Sequence, residues 1–359
     1  MLYVFTKRAK RFGFNLFLAD WGKAFRRQLR ILSYEEVFRR RRVPLGNTIF
    51  TDLDELTAPQ LAKAAILHRS LAAAEPPVQL LNHPLGVWQR YELLRNLHEG
   101  GINRYDVYRL DEGRWPKRYP VFLRSESDHT GPESPLLHRE VALVAALEQR
   151  RERGLSRHNT LIVEYLDYGS PDGLFRKYGA FVIAGQVIPR HLQVGRDWAV
   201  KHNARDLDEY ILAEERHYLE SNPHAEVLGA IAAKAGIDYG RIDYTVVDGQ
   251  IQVFEINTNP QILTPGGSFA PQRTAFKQLF CERFSRALAA LSAPRARPHH
   301  RRSLPLCFEP RPWWQRRPPV EEIVLDGVRW LGGYPLEPVI HRRLLQWRRA
   351  LQGRFDGRQ

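Results

Sequence analysis

Several features that would assign this chain to a special class of protein are scarce or missing. Only two cysteines occur in 359 residues, Cys281 and Cys307, and neither lies in a Cys-x-x-Cys pair or a Cys/His cluster. A disulfide framework and a structural zinc site are therefore excluded. The sequence has no run of 18 apolar residues and no apolar N-terminal stretch followed by a cleavage site. These absences predict a cytoplasmic chain without a membrane span or a secretory signal.

The short motifs of several enzyme classes are also missing. The chain has no Gly-x-Ser-x-Gly elbow, no His-Glu-x-x-His motif and no Walker P-loop, which argues against common hydrolases, metalloproteases and P-loop NTPases. What remains is a globular composition, with 43% hydrophobic and 26% charged residues. That composition and length predict a sizeable core in two or three domains or subdomains.

The excess positive charge lies at the two ends of the chain. The formal net charge is +14, of which residues 1–42 contribute +9 and residues 294–359 contribute +8, while the residues between contribute −3. A basic central groove is therefore not indicated. We interpret the flanks as solvated surface and linker, and contact with nucleic acid or an anionic surface is the alternative that charge alone leaves open.

Strand and helix signals alternate along the chain, which predicts an α/β (α+β) fold. We expect a basic N-terminal segment with a small α/β unit at 1–80 and a main domain at 81–291. A linker at 292–319 follows, where seven prolines and seven arginines in 28 residues leave little that can fold regularly. The basic extension at 320–359 is predicted to form a short strand pair and an amphipathic helix.

Local signals predict where several elements begin and turn. A helix is expected over 85–99. Ser134 and Pro135 predict the N-cap and the first residue of another helix. The apolar stretch at 179–190 predicts two strands folded on Gly185.

The most informative stretch is a predicted hairpin that contains three oxygen-bearing side chains. Asp243 lies in its first strand, and Glu255 and Asn257 stand two residues apart in its second strand. Period-2 alternation places the last two on one face. Carboxylate and amide oxygens are the ligands that hard cations such as Mg²⁺ prefer, so the hairpin predicts a divalent-metal site.

This prediction depends on the register of the hairpin. A plain two-residue turn would pair Asp243 with Phe254 and would direct Glu255 to the other face. We therefore predict a three-residue loop at 247–249, with Gly249 left-handed in a bulge. That loop would bring Asp243 onto the face of Glu255.

Residues 237–260, IDYGRIDYTVVDGQIQVFEINTNP, resemble the C-terminal signature of the ATP-grasp superfamily, and the similarity extends in order over about residues 81–290. The resemblance implies two α+β subdomains that grip a nucleotide, preceded by a small pre-ATP-grasp unit. It also implies ATP with Mg²⁺, or Mn²⁺ in its place. Asp243, Glu255 and Asn257 become the implied metal ligands, and Glu255 would bridge two ions.

The resemblance further implies nucleotide contacts. Arg241 and Arg190 are implied as catalytic cations that meet the transferred phosphate. Glu164 and the backbone of the next two residues would hold the adenine. The implied nucleotide-binding positions are Arg90, Arg124, Glu164, Tyr165, Leu166, Asp172, Arg176 and Lys177.

Two features depart from the family pattern. Arg124 and Arg90 stand where phosphate-binding lysines are usual, and guanidinium groups can still neutralise phosphate, in a bidentate manner. The loop SESDHTGPES, which would close over the phosphates, has only Gly131. His129 in that loop is interpreted either as a substitute contact or as an ordinary surface histidine.

The function implied by the resemblance is that of a ligase of the D-alanine or glutamate-ligase type. Such an enzyme activates a small-molecule or peptide carboxylate as an acyl phosphate for attack by an amine or thiol, releasing ADP and phosphate. A small-molecule kinase and a non-catalytic nucleotide-binding scaffold remain as alternatives. An anionic substrate could be read by a set of polar side chains downstream: Lys201, Asn203, Arg205 and Arg273.

Overall fold

The structure is a computed structural model. The residues it describes are 1–75, 77–127, 131–154, 159–200, 208–263, 271–292 and 303–306. Residue contacts divide the chain into one unit at 1–308 and another at 309–359. The second unit, including the predicted extension at 320–359, lies outside the described residues. No helix within the described ranges is long and apolar enough to cross a membrane.

The N-terminal part is a parallel sheet with the strand order β2-β1-β4-β5. Its central strand pairs on both sides, and three of its five residues carry fully buried apolar side chains. Helices connect these parallel strands, as parallel pairing requires. The elements are β1 (Leu2–Thr6), α1 (Phe12–Ala19), β2 (Leu29–Ser33), α2 (Tyr34–Val37), β3 (Arg42–Pro44), β4 (Asn47–Phe50), α3 (Ala58–Ala72) and β5 (Leu80–Leu81).

A small antiparallel sheet follows, in the order β6-β8-β7. The preceding helix begins five residues later than predicted, at Arg90, where the Glu92 carboxylate accepts a hydrogen bond from the backbone N–H of Gln89 at 2.9 Å. This contact satisfies one of the free N–H groups at the helix start. The elements are α4 (Arg90–Glu99), β6 (Val107–Arg109), β7 (Val121–Ser125), α5 (Glu140–Glu152) and β8 (Thr160–Glu164).

A larger antiparallel sheet has the order β10-β9-β11-β12. The predicted turn on Gly185 is confirmed, since Ala184 and Gly185 have φ of 49° and 83° and join β9 to β10. Together with the other sheets and helices, these strands confirm the predicted mixed α and β class. The elements are β9 (Phe175–Ile183), β10 (Gln186–Gly195), α6 (Glu209–Ser221), α7 (Ala225–Lys234), β11 (Tyr239–Val247), β12 (Gln250–Asn257), α8 (Thr274–Ser292) and β13 (Ser303–Pro305).

The two faces of the larger sheet pack against different helices. On one face Val182 and Tyr244 join a core that includes Leu228 of α7. On the other face the Phe181 ring lies 5.3 Å from that of Phe280 in α8. The polar residues of the predicted hairpin lie further along this second face, beside the small sheet.

One prediction made from local signals is wrong. Helix α5 begins at Glu140, and the residues before it instead run beside β7, where Ser134 Oγ accepts a hydrogen bond from Leu123 N at 2.9 Å. Pairing with a neighbouring strand has overridden a local capping signal. In the predicted linker, Ser303–Pro305 forms a strand antiparallel to β3, because an extended segment can pair even where proline is frequent.

Candidate active site

The β11–β12 hairpin closes by a tighter turn than the sequence predicted. Val247 pairs with Gln250, so only Asp248 and Gly249 lie in the turn, and their φ angles are 48° and 74°. Two successive left-handed residues are the mark of a type I′ turn, and Asp-Gly is one of the pairs that best tolerates it. The three-residue loop predicted at 247–249 is therefore wrong.

A bulge inside the second strand nevertheless brings the two carboxylates onto one face. Tyr244 pairs with Val253, but Asp243 pairs with Glu255, so Phe254 is an extra residue in β12. A β-bulge places two residues opposite one and shifts the register by one position beyond it. The predicted apposition of Asp243 and Glu255 is present, but the bulge, and not the turn, creates it.

Two arginines converge on Glu255. Arg90 Nη2 lies 2.6 Å from Glu255 Oε2, and Arg124 Nη2 lies 2.9 Å from the same oxygen. Burial, followed by the neighbouring charge of Arg90, lowers the pKa of Arg124. The carboxylate therefore offsets both the repulsion between the two guanidinium groups and part of their desolvation.

Asp243 is held in the same manner by two other cations. Arg241 Nε lies 2.6 Å from Asp243 Oδ1, and Lys177 Nζ lies 3.4 Å from Oδ2. The Asp243 side chain is only 3% exposed. Burial opposes the charge on Arg241, but the attraction of Asp243 outweighs it, and the pKa of Arg241 is raised. Asn257 pairs with Arg241 across the hairpin and so shares this face.

Arg190 reaches the same region through a second bulge. Pro189 pairs with Ala180 and His191 with Gly179, which leaves Arg190 as the extra residue of β10. Its Nε donates to Ile262 O at 3.0 Å, and its guanidinium lies 4.7 Å from the centre of the Phe280 ring. Burial lowers the pKa of Arg190 to about 10. An anion beside it would relieve this desolvation cost.

These groups line one cavity of about 540 Å³ between the small sheet and the larger sheet. This volume falls within the range of small-molecule sites. The structure brings most of the predicted site residues to its wall. They are Arg124, Glu164, Tyr165, Leu166, Lys177, Arg190, Arg241, Asp243, Glu255 and Asn257.

A cluster of aromatic side chains also lines the cavity. The Trp198 ring lies 5.0 Å from Phe122 and 5.7 Å from Tyr165, measured between ring centres. The Trp198 carbonyl accepts a hydrogen bond from the hydroxyl of Tyr168. Sequence reasoning missed Trp198, because it lies in an irregular segment after β10 where no spacing marks it. A flat aromatic wall of this kind suits a planar ring.

Glu164 also lines the cavity, but its carboxylate is bound within the protein. Tyr108 Oη donates to Oε1 at 2.9 Å, and Arg118 Nη2 and the Asp106 backbone N–H donate to Oε2 at 2.7 and 3.1 Å. The backbone N–H of Tyr165, predicted to hold the adenine, donates to Pro120 O at 2.9 Å. The geometry therefore favours a structural role for these two groups.

Three predicted residues do not line the cavity. Arg90 contacts the site through Glu255. Asp172 and Arg176 pair with each other at 2.7 Å, and Arg176 Nε also binds the Glu214 carboxylate at 2.9 Å. The structure does not bring Asp172 and Arg176 to the cavity wall, because they satisfy each other's charges beside α6, and it gives no support to their predicted ribose and phosphate contacts.

A further group of polar side chains lies beside β10. Of this group, only Arg273 was predicted from the sequence. Arg273 Nε lies 2.7 Å from Glu215 Oε2, and both side chains are at least 95% buried. His191 lines the cavity beside them, and burial holds its pKa well below the usual value, so it stays neutral. Of the predicted anion-reading set, only Arg273 is described, and Lys201, Asn203 and Arg205, like His129, lie outside the described residues.

The hairpin residues suit a metal only in part. Within the described ranges, no group of three or more His, Cys, Asp and Glu side chains could hold a metal ion. Asp243, Glu255 and Asn257 supply two carboxylates and one amide, which are hard oxygen donors of the kind Mg²⁺ binds. Mg²⁺ commonly completes such a set with waters and the phosphates of a substrate.

No protein-family model and no curated protein matches this sequence. Among solved structures, the chain is similar to a D-alanine–D-alanine ligase from Bacillus anthracis, with 13% identity and a TM-score of 0.46 over 81% of this chain and 96% of that one. It is also similar to the D-cycloserine synthetase DcsG, with 16% identity and a TM-score of 0.48 over 81% and 99%. A third is an ATP-grasp protein with a RimK domain from Sphaerobacter thermophilus, with 13% identity and a TM-score of 0.44 over 81% and 99%. At such low identity, residue roles do not transfer to this chain.

Proposed function

We propose that this chain is an ATP- and Mg²⁺-dependent ligase that activates a carboxylate as an acyl phosphate for attack by an amine or thiol, with release of ADP and phosphate. The observation that carries the proposal is the pairing of Asp243 with Glu255 beside four cations on the wall of a cavity that is also lined by an aromatic cluster. A nucleotide offers a group to each of these features, anionic phosphates to the cations and a planar base to the aromatic cluster. Hard oxygen donors beside cations are the chemistry that a metal-bound triphosphate needs.

The residues divide into three roles in this proposal. Trp198 and its aromatic neighbours bind the base. Arg124 and Lys177 bind phosphates. Asp243, Glu255 and Asn257 would hold Mg²⁺, which would neutralise charge on the transferring phosphoryl group.

Arg241 and Arg190 stabilise the negative charge that develops in the transition states of the two chemical steps. In the first step a substrate carboxylate oxygen bonds to the γ-phosphorus, and the bond from that phosphorus to ADP breaks. In the second step the amine nitrogen bonds to the acyl carbon, phosphate leaves, and the nitrogen loses a proton. Cations fixed in place beforehand stabilise both transition states without reorganisation, so no protein nucleophile is needed.

The first test is the melting temperature with and without Mg·ATP. Ligand at 100 times its dissociation constant adds about 2.7 kcal/mol to the free energy of unfolding, which gives a measurable shift. We expect the wild type to shift and Glu255→Gln to lose most of that shift. Glu99→Gln is the matched control, because Glu99 is half-exposed on α4 and pairs with Arg95. A wild type that does not respond to saturating Mg·ATP would refute the proposal.

The second test separates the proposal from the two alternatives. ADP release is measured against a panel of carboxylates, each with and without amines. A ligase requires both partners. ADP release with a hydroxyl acceptor alone would indicate a kinase, and a Mg·ATP shift without turnover on any acceptor would indicate a nucleotide-binding scaffold.

A further inference from the structure

Both carboxylates proposed as metal ligands are already neutralised by protein cations. Two arginines share one oxygen of Glu255. Asp243 is held by Arg241 and Lys177. The inference below rests on the proposed function, because it concerns what a metal and a nucleotide must displace at these two carboxylates.

The two arginines at Glu255 differ in how firmly they are anchored. Arg90 Nη1 donates to the backbone carbonyls of Ser125 and Glu126, both at 2.8 Å, and the side chain is only 4% exposed. Arg90 is therefore fixed between α4 and the end of β7 and acts as a positioning residue for Glu255. Arg124 instead lines the cavity, where a ligand can reach its guanidinium.

A divalent cation that arrives alone meets an unfavourable site. It would add two positive charges beside four cations, at side chains that are 3% and 15% exposed, where solvent screens charge poorly. Of the six oxygen ligands that Mg²⁺ takes, the predicted set within the described residues supplies two carboxylates and one amide. Both effects oppose binding of the free ion.

Nucleotide phosphates remove both obstacles at once. They supply the missing oxygen ligands. They also give Arg124 a new anionic partner, so that the Glu255 carboxylate becomes available to coordinate the metal. We infer that a divalent metal enters this site only together with nucleotide phosphates, and that Arg124 enforces this coupling by holding Glu255 until phosphate replaces it.

The test uses Mn²⁺ as the probe and the full chain without nucleotide. Free Mn²⁺ is followed by electron paramagnetic resonance during titration into the protein. We expect Arg124→Gln to bind Mn²⁺ alone at least about tenfold more tightly than the wild type, within the range typical of coupled sites. Arg104→Gln is the matched control, because Arg104 pairs with Asp248 at the exposed turn of the same hairpin, 2.6 Å away. This control should bind Mn²⁺ like the wild type.

A second measurement does not depend on a variant. Wild-type Mn²⁺ affinity is compared with and without a non-hydrolysable ATP analogue, after correction for Mn²⁺ bound by the analogue in buffer. We expect at least a tenfold gain with the analogue, and the same gain in Arg124→Lys, which keeps the charge. Wild-type protein that binds Mn²⁺ without nucleotide as tightly as with it would overturn the inference.

The two proposals fail in different ways. Absence of any Mg·ATP shift in the melting temperature would remove the proposed function, whereas a gain of Mn²⁺ binding in Arg124→Gln would still show that Arg124 excludes the free metal. A normal Mg·ATP shift with tight nucleotide-independent Mn²⁺ binding would leave the function standing and remove the coupling.

Discussion

The side chain of Asn82 binds both backbone groups of Tyr239. Its Nδ2 donates to Tyr239 O at 2.7 Å, and its Oδ1 accepts from Tyr239 N at 2.9 Å. The same amide also donates to Phe50 O at 2.9 Å and accepts from Asp238 N at 2.8 Å. One fully buried amide with all its hydrogen-bonding capacity in use thus joins the parallel N-terminal sheet to the start of β11.

Loss of this amide should strongly destabilise the protein. Asn82→Ala removes the partner of four backbone groups, of which the three on Phe50 and Tyr239 belong to buried residues. Each buried group left unpaired costs roughly 1–3 kcal/mol, so we expect the free energy of unfolding to fall by about 3–5 kcal/mol. Urea denaturation measures this. Ser221→Ala is the control, because Ser221 is exposed and binds only the His217 carbonyl, and it should change stability by less than about 0.5 kcal/mol.

Stability should depend on pH through Asp52. Burial raises the pKa of this carboxyl to about 6, against the hydrogen bonds that favour its charged form. The folded state therefore holds a proton between about pH 4 and pH 6 that the unfolded state has lost, and the contribution of Asp52 to stability decreases as the pH rises through that window, by about 3 kcal/mol at most. Asp52→Asn should gain stability relative to the wild type over the same window. A difference that stays constant from pH 4 to pH 7 would contradict this.

Substitutions in the hairpin turn should change stability without changing nucleotide binding. Gly249 has φ of 74°, and an added Cβ would meet no atom within 4 Å, so Gly249→Ala costs only the left-handed strain, about 1 kcal/mol. Its melting-temperature shift with Mg·ATP should match that of the wild type. Asp248→Asn keeps a residue that favours this turn and is the control, with a smaller loss of stability. A Gly249→Ala protein that lost the nucleotide response would show that the turn sets the register.

Glu164→Gln should weaken the fold and leave base recognition unchanged. The carboxylate binds Arg118, Tyr108 and a backbone N–H, and the residue is 3% exposed. Loss of its charge should lower the free energy of unfolding by about 1–3 kcal/mol. The ratio of ATP to GTP affinity, measured by titration calorimetry, should stay within about twofold of the wild type. A larger change in that ratio would support the contact between Glu164 and adenine that was predicted from the sequence.

The elements of the site could be predicted from the sequence because alternation and turn residues are local signals. Strand periodicity placed Glu255 and Asn257 on one face, and Gly185 marked a turn that the structure contains. The wrong prediction at Ser134 has the same origin. A local capping signal was outweighed by pairing with β7, which depends on residues that are distant until the chain folds.

The two β-bulges could not be predicted from the sequence. Phe254 and Arg190 are each the extra residue of a strand. No glycine or proline adjoins Phe254, and Pro189 beside Arg190 is equally compatible with an edge strand that has no bulge. A bulge is chosen by the whole sheet, because every residue beyond it changes face. The apposition of Asp243 with Glu255 and the placement of Arg190 at the cavity both depend on this choice.

The position of β1 has a consequence for the order of events during synthesis. This strand lies at the centre of the parallel sheet, and Leu2 and Val4 pack in the same cluster as Phe284 and Leu288 of α8. The strands that pair with β1 follow it closely in the sequence, but Val4 and Phe284 lie 280 positions apart, so the ribosome makes β1 long before it makes α8. At about 5–20 residues per second this interval lasts on the order of tens of seconds. During that time β1 can pair with β2 and β4, but its side chains Leu2 and Val4 lack the cover that α8 provides in the folded protein.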